Sequence, residues 1–288
     1  MKTGIGLPMW IKGTKPEQLL EWARRAEAGP FSSLGTLDRV VYHNYEPLTM
    51  FAAVAAVTKR IRFTTTVLLA TTRNAGILAK QAATIDAISG GRLTLGLGVG
   101  GREDDFKAAP EPFQGRGRRF EEQLGEMTRA WRGEPIGDGV GPIGPAPSRP
   151  GGPELLIGGY TEAAVRRVGK WANGFISGGR SDPEHVGRFY RLAEQSWKDA
   201  GRKGEPRLVG CLYYALGDDV REQAIDNQRT YYGFTGAGAE RMAHNFLSTP
   251  TAIKEALKSF ADLGADELFF WPAVADFNQI ERLTEAIA

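Results

Sequence analysis

Apolar residues are concentrated in eight short runs, separated by longer stretches of mixed polarity. Several runs are almost continuously apolar, which is typical of parallel strands that are covered on both faces. We therefore predict eight strands. They lie at 3–10, 32–38, 61–69, 92–100, 154–160, 174–179, 207–216 and 267–273.

The stretches between these runs repeat apolar side chains every three or four residues, which predicts amphipathic helices. One such face carries Leu19, Trp22, Ala23 and Ala26. Thr14 and Glu17 have the spacing of a capping box, so we expect them to begin the first helix. These apolar stripes are typical of core packing rather than of a binding surface.

Strand and helix alternate eight times over 288 residues, with no shift in composition that marks a boundary. Eight βα units predict one (β/α)8 TIM barrel over residues 1–288, since a doubly wound sheet uses fewer strands. In the segment 133–153, 13 of 21 residues are Gly or Pro. We predict a surface loop there, because neither helix nor sheet tolerates that density.

Bulk properties favour a soluble, cytoplasmic protein. The N-terminus lacks a signal-peptide pattern, and no apolar run approaches the ~18 residues that span a bilayer. The single cysteine, Cys211, excludes an internal disulfide framework. A net charge of +2, with basic residues scattered among acidic ones, argues against a nucleic-acid partner, and nothing indicates a membrane partner.

A glycine-rich stretch follows the fourth apolar run and matches G-x-G-x-x-G at Gly96, Gly98 and Gly101. A true dinucleotide fingerprint opens a helix at once. We expect Pro110 and Pro112 to prevent an immediate helix here. The stretch therefore fits the carboxyl end of a barrel strand, where missing side chains let a flat ligand approach the backbone.

Other chemical signatures are sparse. Hydrolase and zinc motifs are absent, and the three histidines are far apart, so we predict no metal site. The acidic residues 103–105 fit a solvated or helix-capping cluster. The basic group Arg116, Arg118 and Arg119 fits either a charged helix face or an anion clamp.

Four segments carry a family resemblance. Residues 78–106 and 112–124 resemble the bacterial luciferase-like monooxygenases, a family of barrel enzymes that use flavin or deazaflavin, and 45–69 and 153–179 resemble further parts of that family. The resemblance implies a flavin ring against the end of the third strand, over a bulge with a non-proline cis peptide. This position corresponds to Thr66–Val67.

The resemblance also implies a cofactor phosphate site. It assigns phosphate contacts to Gly158, Gly159, Tyr160 and Thr161, together with Arg116 or Arg119. Backbone amides at a helix start and a guanidinium fork suit a phosphate. Gly98, Gly100 and Gly101 are expected to leave room for the ring.

The chain departs from the family pattern at the end of the second strand, where Asp38-Arg39 stands in place of an acidic residue followed by histidine. Arg39 cannot shuttle a proton as imidazole does, although it can stabilise developing negative charge. Asp38, Arg39 and His43 are the predicted catalytic residues. The predicted apolar wall for the substrate consists of Met9, Trp10, Tyr42 and Phe106.

The resulting hypothesis is a flavin-dependent monooxygenase that uses reduced FMN and oxygen on a small organic substrate. One alternative is hydride transfer with coenzyme F420, and another is a non-catalytic flavin-binding protein. A separate flavin reductase and a homodimer are the partners that the resemblance implies.

Overall fold

The computed structural model describes residues 1–179 and 182–288, and its strands form one closed parallel barrel. The strands are β1 (Lys2–Gly6), β2 (Ser33–Thr36), β3 (Arg62–Thr65), β4 (Leu68–Leu69), β5 (Leu93–Gly98), β6 (Glu154–Gly158), β7 (Gly174–Ile176), β8 (Arg207–Tyr214) and β9 (Glu267–Pro272). The order is β3-β2-β1-β9-β8-β7-β6-β5-β4, and pairing of β3 with β5 closes the ring. Because β3 and β4 are two parts of one barrel strand, the predicted (β/α)8 barrel is confirmed.

Helices separate the strands and cover the outside of the barrel. They are α1 (Pro16–Ala28), α2 (Pro47–Val57), α3 (Ala75–Ser89), α4 (Glu103–Ala108), α5 (Arg116–Trp131), α6 (Glu162–Val165), α7 (Arg167–Trp171), α8 (Pro183–Asp199), α9 (Arg221–Tyr232), α10 (Gly238–Ala243), α11 (Pro250–Asp262) and α12 (Asn278–Ile287). Three 3₁₀ turns lie at Ala70–Thr72, Asp218–Val220 and Gly233–Thr235. The segment 133–153 carries neither helix nor strand.

Two local predictions were wrong. Lys15, not Thr14, is the N-cap of α1, and the Thr14 hydroxyl instead donates to the carbonyls of Pro8 and Ile11 within the preceding loop. The glycine-rich strand β5 is followed closely by a helix, because α4 is short enough to end before Pro110. A proline limits the length of a helix that precedes it but does not forbid one.

The apolar residues form two cores, one between the strands and the helices and one inside the barrel. Phe269 fills the part of the barrel interior nearer the amino ends of the strands. A Cβ on Gly4 would lie 2.5 Å from its ring, and one on Gly35 3.0 Å. Trp271, two residues on, occupies the next layer above Gly6. Small residues on β1 and β2 therefore make room for large aromatic ones on β9.

Charged residues close the barrel at the amino ends of its strands. Arg207 pairs with Glu154 and with the fully buried Glu267, and Ser32 donates to Glu267 as well. Thr94 donates to Glu154 at 2.8 Å. Each charge of this group thus has a partner, as burial of charge requires.

We expect Gly4→Ala to lower the free energy of unfolding by about 1–3 kcal/mol, because the new methyl group would overlap the Phe269 ring. Urea denaturation followed by circular dichroism measures the change. Gly141→Ala is the matched control, since nothing lies within 4 Å of a Cβ there. Equal stability of the two variants would contradict this packing of the barrel interior.

Candidate active site at the barrel mouth

The third barrel strand is broken near its carboxyl end, at the mouth of the barrel. Thr64 lies opposite Thr94, and Leu68 lies opposite Leu97, so this strand advances four residues while β5 advances three. The extra residue forms a bulge. The Thr66–Val67 bond within it is a non-proline cis peptide, as the family resemblance implies.

The glycines of the fourth-strand motif accommodate this bulge. A Cβ on Gly96 would lie 2.1 Å from the Thr65 carbonyl oxygen, and one on Gly98 3.0 Å from Val67. Gly158, on the next strand, faces the same valine at 2.5 Å. The space at Gly98 is therefore filled by Val67, not left free for a ring as the sequence suggested.

The two remaining glycines of this stretch differ from each other. Gly100 has a φ of +70°, in the left-handed region that favours glycine, and it faces Phe106. A Cβ on Gly101 would meet nothing within 4 Å. Of the three positions expected to clear space for a cofactor, Gly101 is the open one.

Hydrogen bonds hold both sides of the bulge. The Thr66 hydroxyl donates to the Thr36 carbonyl at 2.7 Å and accepts from the Trp271 indole at 3.1 Å. Asp38 accepts from the Leu69 amide at 2.8 Å and pairs with Arg73 at 2.7 Å. Burial raises the pKa of Asp38, although the charge of Arg73 opposes the shift.

These contacts make Asp38 an anchor of the third strand. Its two oxygens are engaged by Arg73 and the Leu69 amide. A catalytic role for Asp38 stays a prediction. Arg73 is the partner that sequence reasoning missed, and no short motif in the sequence marks it.

Aromatic side chains from several loops meet above the barrel interior. Trp10 packs edge-on against Tyr213 at 5.5 Å and against Tyr231 at 5.1 Å. Tyr42 meets Tyr231 at 5.1 Å, and the Tyr213 and Tyr232 hydroxyls lie 2.9 Å apart. The tyrosines of α9 thus cover the mouth. Trp10 and Tyr42, two predicted substrate residues, belong to this cover.

Several buried polar atoms at the mouth lack a hydrogen-bond partner among the described residues. They include both ends of the fully buried Gln228 amide, the Trp10 indole nitrogen, the Thr36 hydroxyl and Arg39 Nε. Gln228 and Tyr231 lie three residues apart, on the buried side of α9. Unpartnered buried polar groups are costly, so several of them at the mouth favour a polar ligand there.

The other predicted catalytic and substrate residues are spread more widely. Arg39 lies at the rim, where its guanidinium donates to the Tyr231 carbonyl at 2.8 Å and lies over the Tyr42 ring. His43 is exposed, with its ring against Tyr42. Met9 is buried in the outer core, away from the interior cluster, a position that does not favour substrate contact. Phe106 is buried against Phe113.

Asp105 connects the second and fourth strands at the rim. It is fully buried, accepts from the amides of Val40 and Val41 at 2.9 and 2.8 Å, and pairs with Arg102 at 3.2 Å. The sequence placed residue 105 in a solvated or capping cluster. Only long-range contacts distinguish it from Glu103, which is exposed.

The model of the luciferase-like monooxygenase family matches residues 3–269 of the chain. The chain belongs to this family. A relative, an uncharacterized protein of Mycobacterium bovis, is 30% identical over 210 residues, which is 62% of this chain and 71% of the relative.

Two solved structures show the same luciferase-like fold. An F420-dependent secondary alcohol dehydrogenase in complex with an F420-acetone adduct superposes with a TM-score of 0.81 at 18% identity, over 99% of this chain and 98% of the other. The oxygenating constituent of 3,6-diketocamphane monooxygenase from Pseudomonas putida, in complex with FMN, has a TM-score of 0.75 at 16% identity, over 99% and 95%.

In this luciferase-like barrel, the residues assigned to a phosphate begin two neighbouring helices. Thr161 is the N-cap of α6, and α5 begins at Arg116 without a side-chain cap. Arg116 donates to the Gly100 carbonyl at 3.1 Å, and Arg119 donates to the Pro112 carbonyl at 2.6 Å. Arg118 is 85% exposed and pairs with Glu122, so it forms part of a charged helix face.

Tyr160 and Gly159 complete this segment. The Tyr160 side chain is exposed, and its hydroxyl lies where a Cβ on Gly178 would come within 2.1 Å. Gly158 precedes them at the end of β6, next to Val67. The segment 158–161 thus runs from the bulge toward the start of α6.

A cavity of about 430 Å³ opens at the rim, lined by Trp10, Tyr42 and residues of α9. A groove of about 720 Å³ lies outside the barrel between α5 and α7. It reaches Leu155 and Asn173, near the amino ends of β6 and β7. Active sites of TIM barrels lie at the carboxyl ends of the strands, so the outer groove is in the wrong place. The rim cavity is at the right end, but Thr66, Arg39 and Gln228 do not line it.

No helix in the described ranges is long and apolar enough to cross a membrane. Within the same ranges, no group of three His, Cys, Asp or Glu side chains converges as a metal site requires.

We expect Asp105→Asn to loosen the segment after β2, because the amide nitrogen of asparagine would face the Arg102 donor. The lost bonds correspond to about 1–3 kcal/mol of local stability. Hydrogen exchange of peptides that contain Val40 and Val41 measures the effect. Glu103→Gln, an exposed change in the same helical turn, is the control. Unchanged exchange in Asp105→Asn would contradict this role.

Proposed function

We propose that this protein is an oxidoreductase that binds a flavin-type cofactor at the barrel mouth and oxygenates a small organic substrate, with reduced FMN as the cofactor. The observation that carries the proposal is that Gln228, Trp10 and Thr36, at the barrel mouth, each have a buried polar atom without a partner among the described residues. Family membership supports the class of reaction, and the FMN complex of a protein with this fold supports the cofactor.

The residues present fit such a cofactor. A flavin ring carries carbonyl oxygens and ring nitrogens, which match the Trp10 donor and the Gln228 amide, which can both donate and accept. When bound, the reduced cofactor supplies the electrons that activate oxygen. A separate flavin reductase would provide FMN in its reduced form.

The residues of this chain position the cofactor and exclude water from it. Thr66 and Val67 lie on the side of the mouth to which the flavin ring is assigned. Hydrogen bonds of Thr66 with Trp271 and Thr36 hold their bulge in place. The aromatic cover formed by Trp10, Tyr42 and Tyr231 excludes water, which favours oxygenation over loss of the activated oxygen. Asp38 acts as a positioning residue through Leu69 and Arg73. A direct catalytic role for His43 stays a prediction.

The phosphate of the cofactor is assigned to Gly158, Gly159, Tyr160 and Thr161, with Arg116 or Arg119. The uncapped first turn of α5 supports this assignment, because free amides and a guanidinium both attract phosphate. Gly100 and Gly101 border the same side of the mouth.

Hydride transfer with coenzyme F420 is the second candidate function, because an F420-dependent dehydrogenase has the same fold. Titration of the purified protein with FMN and with F420, each oxidised and reduced, separates the candidates. Micromolar binding of F420 without binding of FMN would overturn the first proposal. A bound flavin that neither consumes oxygen nor transfers hydride would indicate a non-catalytic binding protein.

Arg116→Ala combined with Thr161→Ala should weaken FMN binding about tenfold or more and leave riboflavin binding nearly unchanged, because only FMN carries the phosphate. Fluorescence titration measures both dissociation constants. Arg118→Ala, which removes an exposed charge from the same helix, is the control and should change neither. Equal losses for the two ligands in the double variant would remove these residues from the phosphate site.

A further inference from the structure

Two arginines from different strand ends share one phenylalanine ring at the rim of the mouth. Arg102, which follows β5, lies with Cζ 4.0 Å from the centre of the Phe234 ring. Arg39, which follows β2, lies 5.3 Å from the same centre. Both cations lie within 5.3 Å of one ring centre, and an anion between them would offset their repulsion.

The carboxylates at this rim serve only one of the two arginines. Asp104 and Asp105 pair with Nη2 and Nε of Arg102, and its Nη1 is buried without a partner among the described residues. Arg39 donates to the carbonyls of Tyr231 and Val41 but forms no salt bridge within the described ranges. Its Nε is buried and unpartnered there as well.

The direction in which the pKa of Arg39 is shifted agrees with the absence, in the described part of the chain, of a carboxylate paired with it. Burial lowers the pKa of Arg39, and the positive charge of Arg102 lowers it further. Tyr231, Asp105 and Asp104 act in the opposite direction. No carboxylate of the described residues forms a salt bridge with this half-buried cation.

Apolar side chains surround these donors. Phe234 is 52% exposed, and Val40 and Val41, directly after Arg39, are 40% and 43% exposed. Exposed apolar residues next to a polar site are typical of a binding surface. A ligand that matches both features has an apolar body and an anionic end.

Phe234 lies in a short, exposed turn, which allows its side chain to move. The 3₁₀ turn Gly233–Thr235 links α9 to α10 and contains glycine at one end, and Gly236 follows with a φ of +58°. None of Gly233, Phe234, Thr235 and Gly236 is buried. Displacement of the ring would uncover both guanidinium groups at little cost in buried area.

We propose that Arg39 and Arg102 bind the carboxylate of a substrate with an apolar acyl or aryl body, and that Phe234 covers this site until the substrate arrives. The assignment of this ligand as substrate rests on the proposed function. Each guanidinium has one nitrogen without a partner among the described residues, Arg39 Nε and Arg102 Nη1. Charge-assisted bonds from these two nitrogens to one carboxylate are strengthened by partial burial. The carboxylate takes the place of the phenylalanine ring, and the apolar body extends toward Val40 and Val41.

Isothermal titration calorimetry with octanoate and benzoate, and with octanamide and benzamide as neutral counterparts, tests the site. The full chain is used alone and with whichever cofactor binds it. We expect at least one acid to bind the wild-type protein tightly enough to measure and its amide to bind at least tenfold more weakly. Equal binding of acid and amide, or no binding of either acid, would overturn the inference.

Substitutions connect the binding to the named residues. Arg39→Gln should weaken binding of the acid about 10- to 100-fold, Arg39→Lys should retain part of it, and Arg24→Gln, an exposed change on α1, should leave it unchanged. Phe234→Ala should bind the acid as tightly as the wild-type protein or more tightly. Wild-type affinity in Arg39→Gln, with its circular dichroism spectrum intact, would place the anion elsewhere.

FMN and F420 titrations of the same proteins separate this inference from the proposed function. If a cofactor binds but acid binding does not depend on Arg39, the inference fails and the proposed function stands. If an acid binds through Arg39 but neither cofactor binds the wild-type protein, the proposed function fails and the anion site stands.

Discussion

The mouth of this barrel depends on the contact of Val67 with two glycines on the neighbouring strands. Because the third strand carries one residue more than its neighbour needs, its chain is pushed into the space that side chains of β5 and β6 would fill. Gly98 and Gly158 leave that space, and Gly96 leaves room for the Thr65 carbonyl. An alanine at any of the three would displace the bulge, so these glycines are a packing requirement before they have any relation to a ligand.

The bulge also sets the positions of more distant groups. Trp271 reaches across the interior to the Thr66 hydroxyl, and Asp38 ties the resumed strand to the end of β2. Since Asp38 is held, the next residue, Arg39, is directed to the rim, where Tyr231 receives its hydrogen bond. Asp105 then joins this rim to the segment after β5. The bulge in the third strand thus helps to fix the positions of the segments that follow β2, β4 and β5.

The fold was predictable from sequence because parallel barrel strands are short, apolar and regularly spaced, and each predicted run contains a strand. The site was predictable only in part. Trp10 and Tyr42 were located by their position after strands, but Gln228 and Asp105 look like ordinary surface residues of helices. Their burial results from contacts with segments far away in the chain. Local spacing also failed for Thr14, whose hydroxyl bonds to a preceding loop instead of capping α1.

Buried polar atoms without a partner among the described residues lie near both ends of the barrel, but the arginines at the two ends differ. At the amino ends of the strands, Arg207 lies between Glu154 and Glu267, and each charge is paired. At the carboxyl ends, Arg39 forms no salt bridge among the described residues, and its Nε and the Gln228 amide are buried without a hydrogen-bond partner there. Burial of such atoms does not stabilise the folded protein, because no hydrogen bond offsets the cost of removing them from water. A ligand that supplies the missing partners at the mouth accounts for their presence.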